Sequence, residues 1–200
     1  MDIKTVKDIA YADKPVLFES FGQKSLSPDF LKSLDQPITD KIKIRDTLEP
    51  LNDEQKQELS DIGYSDSVIE AIGSKEEADI YKGAELECEK VNGNDALIRT
   101  DIDLDQKDDF GNTNLERMEK GKAPLDKEGK PIELHHIGQT SDAPLAELTR
   151  SEHMGNGNDS ILHDKAKESE IDRSEFKKER EEHWKARAEE IKQKLGIENE

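Results

Sequence analysis

The chain has 200 residues and a formal net charge of −18, with 39% of its residues charged and only 32% hydrophobic. This length allows one ordinary domain or two small ones, and the low hydrophobic fraction argues against a single large core. The single cysteine, Cys88, excludes an internal disulfide framework and a cysteine-based zinc cluster. No apolar run reaches membrane-spanning length, and the first residues lack a signal-peptide core, so we expect a soluble chain without membrane contact or classical signal peptide.

Charge and histidines are unevenly distributed along the chain. Residues 1–110 carry about −13 and residues 111–200 about −5, while all five histidines fall in the second part. We therefore expect three regions: a poorly structured, proline-punctuated lead-in at 1–44, a small helical region with a hairpin at 45–110, and a histidine-containing domain at 111–200. Because phosphate contacts supply most of the non-specific affinity for nucleic acid, a nucleic-acid partner would require a local basic surface on this acidic chain.

The segment 45–85 contains several residues that typically cap the start of a helix. The pairs Asn52/Gln55 and Ser74/Glu77 have the spacing of capping residues, and Ser65 is placed to start a helix between them. The pattern predicts three short helices. Their apolar residues are expected to form a small helical core, consisting of Leu59, Ile62, Val68, Ile69 and Ile72.

A β-hairpin is predicted next. The runs 86–91 and 96–100 flank Asn92-Gly93-Asn94, a favourable turn sequence. The acidic stretch 101–109 that follows has two interpretations, a solvated linker and a cation site. The linker is favoured, because the stretch lacks the glycine turn and distal glutamate of a calcium-binding loop.

The second half reads as a short helix, two strands and two further helices. A helix is expected at 114–121 and strands at 132–137 and 145–149. Thr149 and Glu152 have capping-box spacing and predict a helix that Gly155 and Gly157 soon interrupt. A long helix is predicted at 172–195, with a stripe at helical spacing formed by Phe176, Arg180, Trp184, Ala188, Ile191 and Leu195.

The adjacent histidines His135 and His136 lie on a predicted strand, so their side chains should point to opposite faces. One imidazole can then hold a metal ion while the other accepts a proton from water, since its unperturbed pKa is near neutrality. Hydrolysis of a phosphodiester needs both parts: a base that activates water and a cation that neutralises the developing charge. The pair fits a phosphodiesterase site, and a surface or core role for the two histidines is the alternative.

Further ligands are available downstream. His153 and His163 are ten residues apart with glycines between them. An unbroken helix would place them about 80° apart, but an interrupted one lets them converge. Asn156 or Asn158 is placed to orient the base through its amide oxygen. His183, in the terminal helix, is expected to pack or to face solvent.

The segment 131–139, Pro-Ile-Glu-Leu-His-His-Ile-Gly-Gln, resembles the LHH group of the HNH/endonuclease VII nucleases, which often form the toxic C-terminal tips of bacterial polymorphic toxins. The resemblance covers about 85 to 90 residues, from Asn114 to near Lys194, and continues through 144–149, 152–153, 157–158, 161–163, 172–173 and 184–188. It implies a ββα-metal (His-Me finger) core. Together with the helices and the small β-hairpin predicted above, we expect an α+β fold that is mainly helical.

A second, partial resemblance is to the DNase domains of nuclease colicins, carried by 117–118, 121–124 and 133–136. It implies that His135 is a metal ligand and His136 the general base. It also implies that Glu133 positions a phosphate-binding basic residue, for which Arg117 or Lys130 is the candidate. Downstream the chain departs from the colicins, whose two further histidines are one helical turn apart. We assign His153 and His163 as the remaining ligands and Asn158 as the central asparagine.

These similarities predict a metal-dependent endonuclease that cleaves DNA and acts as an antibacterial toxin. We expect a monomer that is secreted or delivered by a specialised system, acts in the target cytoplasm, and is inhibited by a cognate immunity protein. The single divalent ion would be zinc or nickel with three imidazole ligands, and magnesium or manganese if an oxygen ligand replaces one. The alternatives are an RNase of the same fold and a non-catalytic, metal-stabilised interaction module.

To bind nucleic acid, the protein needs basic residues that contact the phosphate backbone. Basic residues of the terminal helix alternate with glutamates, so a solvated, salt-bridged face is the favoured interpretation there. The group just before the histidine strand is the better candidate, and consists of Lys120, Lys122, Lys127 and Lys130.

Overall fold

Residues 47–165 and 172–197 are described by the computed structural model of this protein, and they lie within one unit, Ile42–Glu200. The lead-in predicted at 1–44 lies outside the described residues. The helices are α1 (Asp53–Asp61), α2 (Asp66–Ala71), α3 (Lys75–Gly83), α4 (Asn114–Glu119), α5 (Arg150–Met154), α6 (Asn158–Leu162) and α7 (Arg173–Leu195). The strands are β1 (Glu87–Val91), β2 (Asn94–Ile98), β3 (Glu133–His136) and β4 (Leu145–Leu148).

The predicted capping residues begin the helices. Asn52 forms a reciprocal capping box with Gln55 at the start of α1, and the hydroxyl oxygens of Ser65 and Ser74 cap α2 and α3. Thr149 accepts a hydrogen bond from the N–H of Glu152 and starts α5. Each cap satisfies an N–H group that has no partner inside the helix, so these boundaries follow from local chemistry.

One mixed sheet joins the two halves of the described chain. Its strand order is β1-β2-β4-β3, with an antiparallel hairpin at one side and the antiparallel β3–β4 pair at the other. Between them β2 runs parallel to β4, with Ala96 opposite Leu145 and Leu97 opposite Ala146. The regions predicted at 45–110 and 111–200 therefore share one sheet. The α+β architecture with a ββα core, formed by β3, β4 and α5, is confirmed.

Each face of the sheet is covered by its own core. Helices α1–α3 and α6 pack on one face, where Leu97, Ala146 and Leu148 are buried with Val68 and Leu162. Helices α4 and α7 cover the other face, and its buried residues are Met118, Ile132, Leu134, Leu145, Trp184 and Ala188. Alternate residues of β3 and β4 thus enter different cores, as the two-residue repeat of a strand requires.

Some expectations about burial were wrong. Ile62 was assigned to the helical core but is 54% exposed, because it is the C-cap residue of α1 and lies at the end of the buried stripe. Leu195, at the end of α7, is also exposed. The core of the first helices is instead completed by residues that the pattern did not single out, namely Tyr64, Ala78, Tyr81 and Ala84. None of the described helices is both long and apolar enough to cross a bilayer.

Candidate metal centre and active site

Strand β3 presents its two histidines to opposite faces of the sheet. The ring of His135 contacts His153 of α5 and His163, the residue directly after α6. The ring of His136 contacts Phe176 and Glu179 of α7, on the other face. The division expected from the two-residue repeat of a strand is therefore present.

Three imidazole nitrogens converge beside β3. The Nε2 atom of His153 lies 3.3 Å from Nδ1 of His135 and 3.2 Å from Nε2 of His163. Among the described residues, these three histidines form the group that could hold a metal ion, with all three ligand atoms within 4.8 Å of one another. The break at Gly155 and Gly157 allows this convergence, because it turns the chain between α5 and α6.

The outward-facing nitrogens of two of these rings are engaged by acceptors. Nδ1 of His153 donates to a carboxylate oxygen of Glu133 at 2.6 Å, and Nδ1 of His163 donates to the backbone oxygen of Asp159 at 3.1 Å. Since carboxylates and carbonyls only accept, both protons belong on Nδ1 and both Nε2 atoms present lone pairs. Ring orientation by such outer contacts is a recurrent feature of metal-binding histidines.

The cluster fits a divalent ion. Two neutral Nε2 lone pairs 3.2 Å apart repel each other unless a cation lies between them. A tetrahedral ion with bonds of about 2.0–2.1 Å separates its nitrogen ligands by about 3.3–3.4 Å, close to both contacts. Burial lowers the pKa of His163, as does the neighbouring His153, and this favours the neutral form that a metal requires. All-nitrogen donors suit zinc or nickel better than magnesium.

His136 is held in a different environment. It is 2% exposed, its ring centroid lies 4.5 Å from that of Phe176, and its Nε2 atom lies 2.9 Å from a carboxylate oxygen of Glu179. Its Nδ1 atom is buried, and no described residue offers it a hydrogen bond. A buried polar atom without a partner is rare in proteins and calls for a specific explanation. A reacting water would provide one.

The basic partner of Glu133 differs from expectation. One oxygen of Glu133 holds His153, and the other accepts a hydrogen bond from Arg150 at 3.0 Å. Arg117 instead pairs with Asp108 and donates to the backbone oxygen of Ala123. The expectation that Arg117 or Lys130 fills this place was wrong, since Lys130 pairs with Glu128. Arg150 follows a capping threonine on α5, which sequence spacing alone did not relate to Glu133.

Asn158 does not reach His136 in this structure. Its side-chain nitrogen donates to the backbone oxygen of Glu152 at 2.7 Å and so ties the start of α6 to α5. The contact that orients His136 comes from Glu179, which sequence reasoning missed. The available signal was the position of Glu179 three residues after Phe176, on the inward side of the predicted helix.

The fifth histidine is structural. His183 is buried, and its Nε2 atom donates to Glu147 of β4 at 2.8 Å; Arg187 donates to the same oxygen at 3.0 Å. The second oxygen of Glu147 accepts the N–H of Arg99. Burial raises the pKa of Glu147, but the contacts with His183 and Arg187 outweigh it and lower the pKa. Every polar group here has a partner, so the network anchors α7 to the sheet.

In the acidic stretch that precedes α4, carboxylates such as Asp101 and Asp108 are paired with other groups of the protein. Asp108 accepts hydrogen bonds from Arg117 and from the N–H groups of Phe110 and Asn112, while Asp101 pairs with Arg99. Burial raises the pKa of Asp108, but these contacts lower it to about 2. The contacts are therefore consistent with the favoured interpretation of this stretch as a linker. The linker is ordered by these contacts.

The strand pair β3–β4 followed by α5, with facing imidazoles at its centre, fits the ββα core of the HNH/ENDO VII nucleases. Residues 113–190 match the family described as LHH, a nuclease of the HNH/ENDO VII superfamily with conserved LHH. The match covers less than half of the chain and supports assigning residues 113–190 to the LHH nuclease group. In the present sequence the conserved letters correspond to Leu134, His135 and His136. No solved structure gives a significant match to the chain.

Proposed function

We propose that this protein is a metal-dependent endonuclease that hydrolyses DNA and acts as a toxin in a rival bacterial cell. One observation carries the proposal: three imidazole nitrogens face one another within an LHH nuclease domain, and a fourth histidine, adjacent to His135 in sequence, has an unpartnered buried nitrogen. Cation and base are the two requirements of phosphodiester hydrolysis.

The chain's own residues divide the work as follows. His135, His153 and His163 would hold the ion, which when bound supplies a Lewis acid beside the phosphate. His136 accepts the proton of the attacking water at Nδ1, since its Nε2 atom is engaged by Glu179. Glu133 orients His153 and Arg150 together and so fixes the relation between a metal ligand and a guanidinium.

Two arginines lie near the proposed catalytic groups of this acidic protein, Arg150 beside Glu133 and Arg180 beside Phe176. Arg150 is 62% exposed beside Glu133, and its guanidinium is free to contact a phosphate oxygen on its outer side. Arg180 lies 4.9 Å from the centre of the Phe176 ring, which in turn packs on His136. Two of the four lysines favoured from sequence form ion pairs, Lys127 with Asp101 and Lys130 with Glu128.

Nuclease assays test the chemistry. Purified protein treated with EDTA should lose cleavage of supercoiled plasmid and regain it on addition of zinc, nickel, manganese or magnesium individually. A parallel tRNA digest separates DNase from RNase activity. The His136→Ala variant should lose cleavage while its metal affinity and melting temperature stay close to wild type. A protein that binds metal but cleaves neither substrate under any condition is a non-catalytic module, and the proposal would then be withdrawn.

The toxin role is supported by the resemblance to polymorphic-toxin tips and by the danger that such an activity poses to its producer. A DNase active in the producing cytosol would cleave the producer's genome, so we expect delivery into the target cell and a cognate immunity protein. Induced expression should arrest bacterial growth, His136→Ala should not, and coexpression of the immunity protein should restore growth. Growth unaffected by the active protein would contradict this role.

A further inference from the structure

We propose that Glu179 is a positioning residue that holds His136 in the tautomer able to accept a proton. The inference rests on the proposed function, in which His136 is the base. The Oε2 atom of Glu179 lies 2.9 Å from Nε2 of His136. A carboxylate can only accept a hydrogen bond, so Nε2 carries the proton and Nδ1 keeps its lone pair.

The other nitrogen of the ring makes this tautomer functional. Nδ1 of His136 is buried and has no hydrogen-bond partner in the described part of the chain. In the alternative tautomer this atom would bear a buried N–H without an acceptor, and Nε2 would present a lone pair to a carboxylate. Both changes are unfavourable, so the single contact with Glu179 decides which nitrogen is basic.

Helix α7, which is anchored to the sheet, holds Glu179 beside His136. One and two turns further along α7, His183 and Arg187 are buried and both donate to Glu147 of β4. These three residues repeat every four positions and therefore share one face of α7. The anchored turns fix the helix against the sheet, and Phe176 packs on the His136 ring from the preceding turn.

Glu179 also keeps contact with water. It lines a cleft of about 480 Å³ together with Asp142 and Glu182, and its side chain is 40% exposed. A fully buried carboxylate would lose its hydration at a large cost, whereas a half-exposed carboxylate retains part of it. The arrangement lets Glu179 orient the ring at a modest cost in stability.

Nitrogen-15 NMR of zinc-loaded protein labelled on histidine tests the tautomer directly. The His136 signals are assigned by their loss in His136→Gln. We expect a protonated Nε2 and an unprotonated Nδ1 in the wild type, and a mixture of tautomers in Glu179→Ala. A wild-type His136 protonated on Nδ1 would overturn the proposal, and this measurement does not require nuclease activity.

Kinetics test the consequence. Glu179→Ala should lower kcat about 10- to 100-fold, the usual effect of losing a contact that orients a functional histidine, with metal affinity unchanged within about twofold. Glu179→Gln keeps an acceptor oxygen and should stay within about fivefold of wild type. Glu182→Gln, which removes a charge from the same helix and cleft, is the matched control and should behave as wild type.

The outcomes separate this inference from the proposed function. If His136→Ala cleaves DNA as well as wild type, the assignment of the base fails, yet the tautomer spectrum still shows whether Glu179 controls the ring. If His136→Ala is inactive while Glu179→Ala keeps its kcat, the inference about Glu179 alone fails. A parallel loss of metal affinity and melting temperature in both Glu179 variants would show a merely structural contact.

Discussion

Two histidine–carboxylate networks lie on opposite faces of the same sheet, and they are built differently. In one, Glu147 is fully buried and every polar contact of His183 and Arg187 with it is satisfied within the protein. In the other, Glu133 and Asp159 turn two imidazoles so that their lone pairs face each other. The first arrangement is stable as it stands, whereas the second is complete only with a cation. Satisfaction of polar groups therefore distinguishes structure from site, although both use the same residue types.

The largest expected effect comes from removing a ligand of the facing cluster. His163→Ala should lower metal affinity and nuclease activity by about 100-fold or more, because only two of the three nitrogen ligands remain to hold the ion. Metal-free protein should be at least as stable as metal-free wild type, since one of two repelling lone pairs is gone. Isothermal titration with zinc and thermal melts in EDTA measure both. If the metal-free variant is unfolded, the three-histidine cluster stabilises the fold, and the difference from the Glu147 network disappears.

Breaking the satisfied network should have the opposite pattern. Glu147→Gln leaves His183 and Arg187 buried without their carboxylate, which should destabilise the protein by about 3–5 kcal/mol. For a protein of this size that corresponds to a fall in Tm on the order of 10 °C. Zinc affinity of the folded protein should be unchanged. Glu189→Gln, an exposed position on the same helix, serves as the control. An unchanged Tm would show that α7 is held by its apolar contacts alone.

A smaller effect is expected where the first helices contact the site. Gly138, two residues after His136, has φ +71°, and a Cβ atom there would lie 2.5 Å from the backbone oxygen of Ala71. Its N–H donates to the buried Glu77 of α3. Gly138→Ala should therefore cost about 1–3 kcal/mol and lower kcat by displacing the end of β3. The control is Gly129→Ala, because a Cβ atom at position 129 would meet open space. With a φ of +77°, Gly129 shares the backbone strain of the substitution but not the steric contact.

The smallest effect concerns acid stability. The contacts of Asp108 lower its pKa from 3.8 to about 2, so the contribution of this group is full above the unfolded value and is lost as pH falls through the folded one. The lowered pKa of Glu147 acts in the same direction. The denaturant midpoint should fall between about pH 4 and pH 2, and Asp108→Asn should flatten that decline. A decline of equal steepness in the variant would assign acid lability to other groups.

Local chemistry made many elements predictable. The caps at Asn52, Ser74 and Thr149 begin the helices where expected, and the turn at Asn92-Gly93 closes the hairpin. These features depend on residues three or four positions apart, so sequence contains them directly. The opposite orientation of His135 and His136 follows equally from the geometry of a strand. The short helix α6 was not expected, because glycines at 155 and 157 obscure the pattern around it.

The sequence by itself determined the helix starts, the hairpin, the LHH motif and the opposite orientation of the two adjacent histidines, because each depends on short-range spacing or on a recognisable motif. Only the tertiary structure decided that β2 joins β4, that Arg150 rather than Arg117 accompanies Glu133, and that Glu179 holds His136. These contacts link residues 17 to 49 positions apart, as Arg150 to Glu133 and Ala96 to Leu145 show. Their physical cause is packing of whole helices on a shared sheet, which no local pattern encodes.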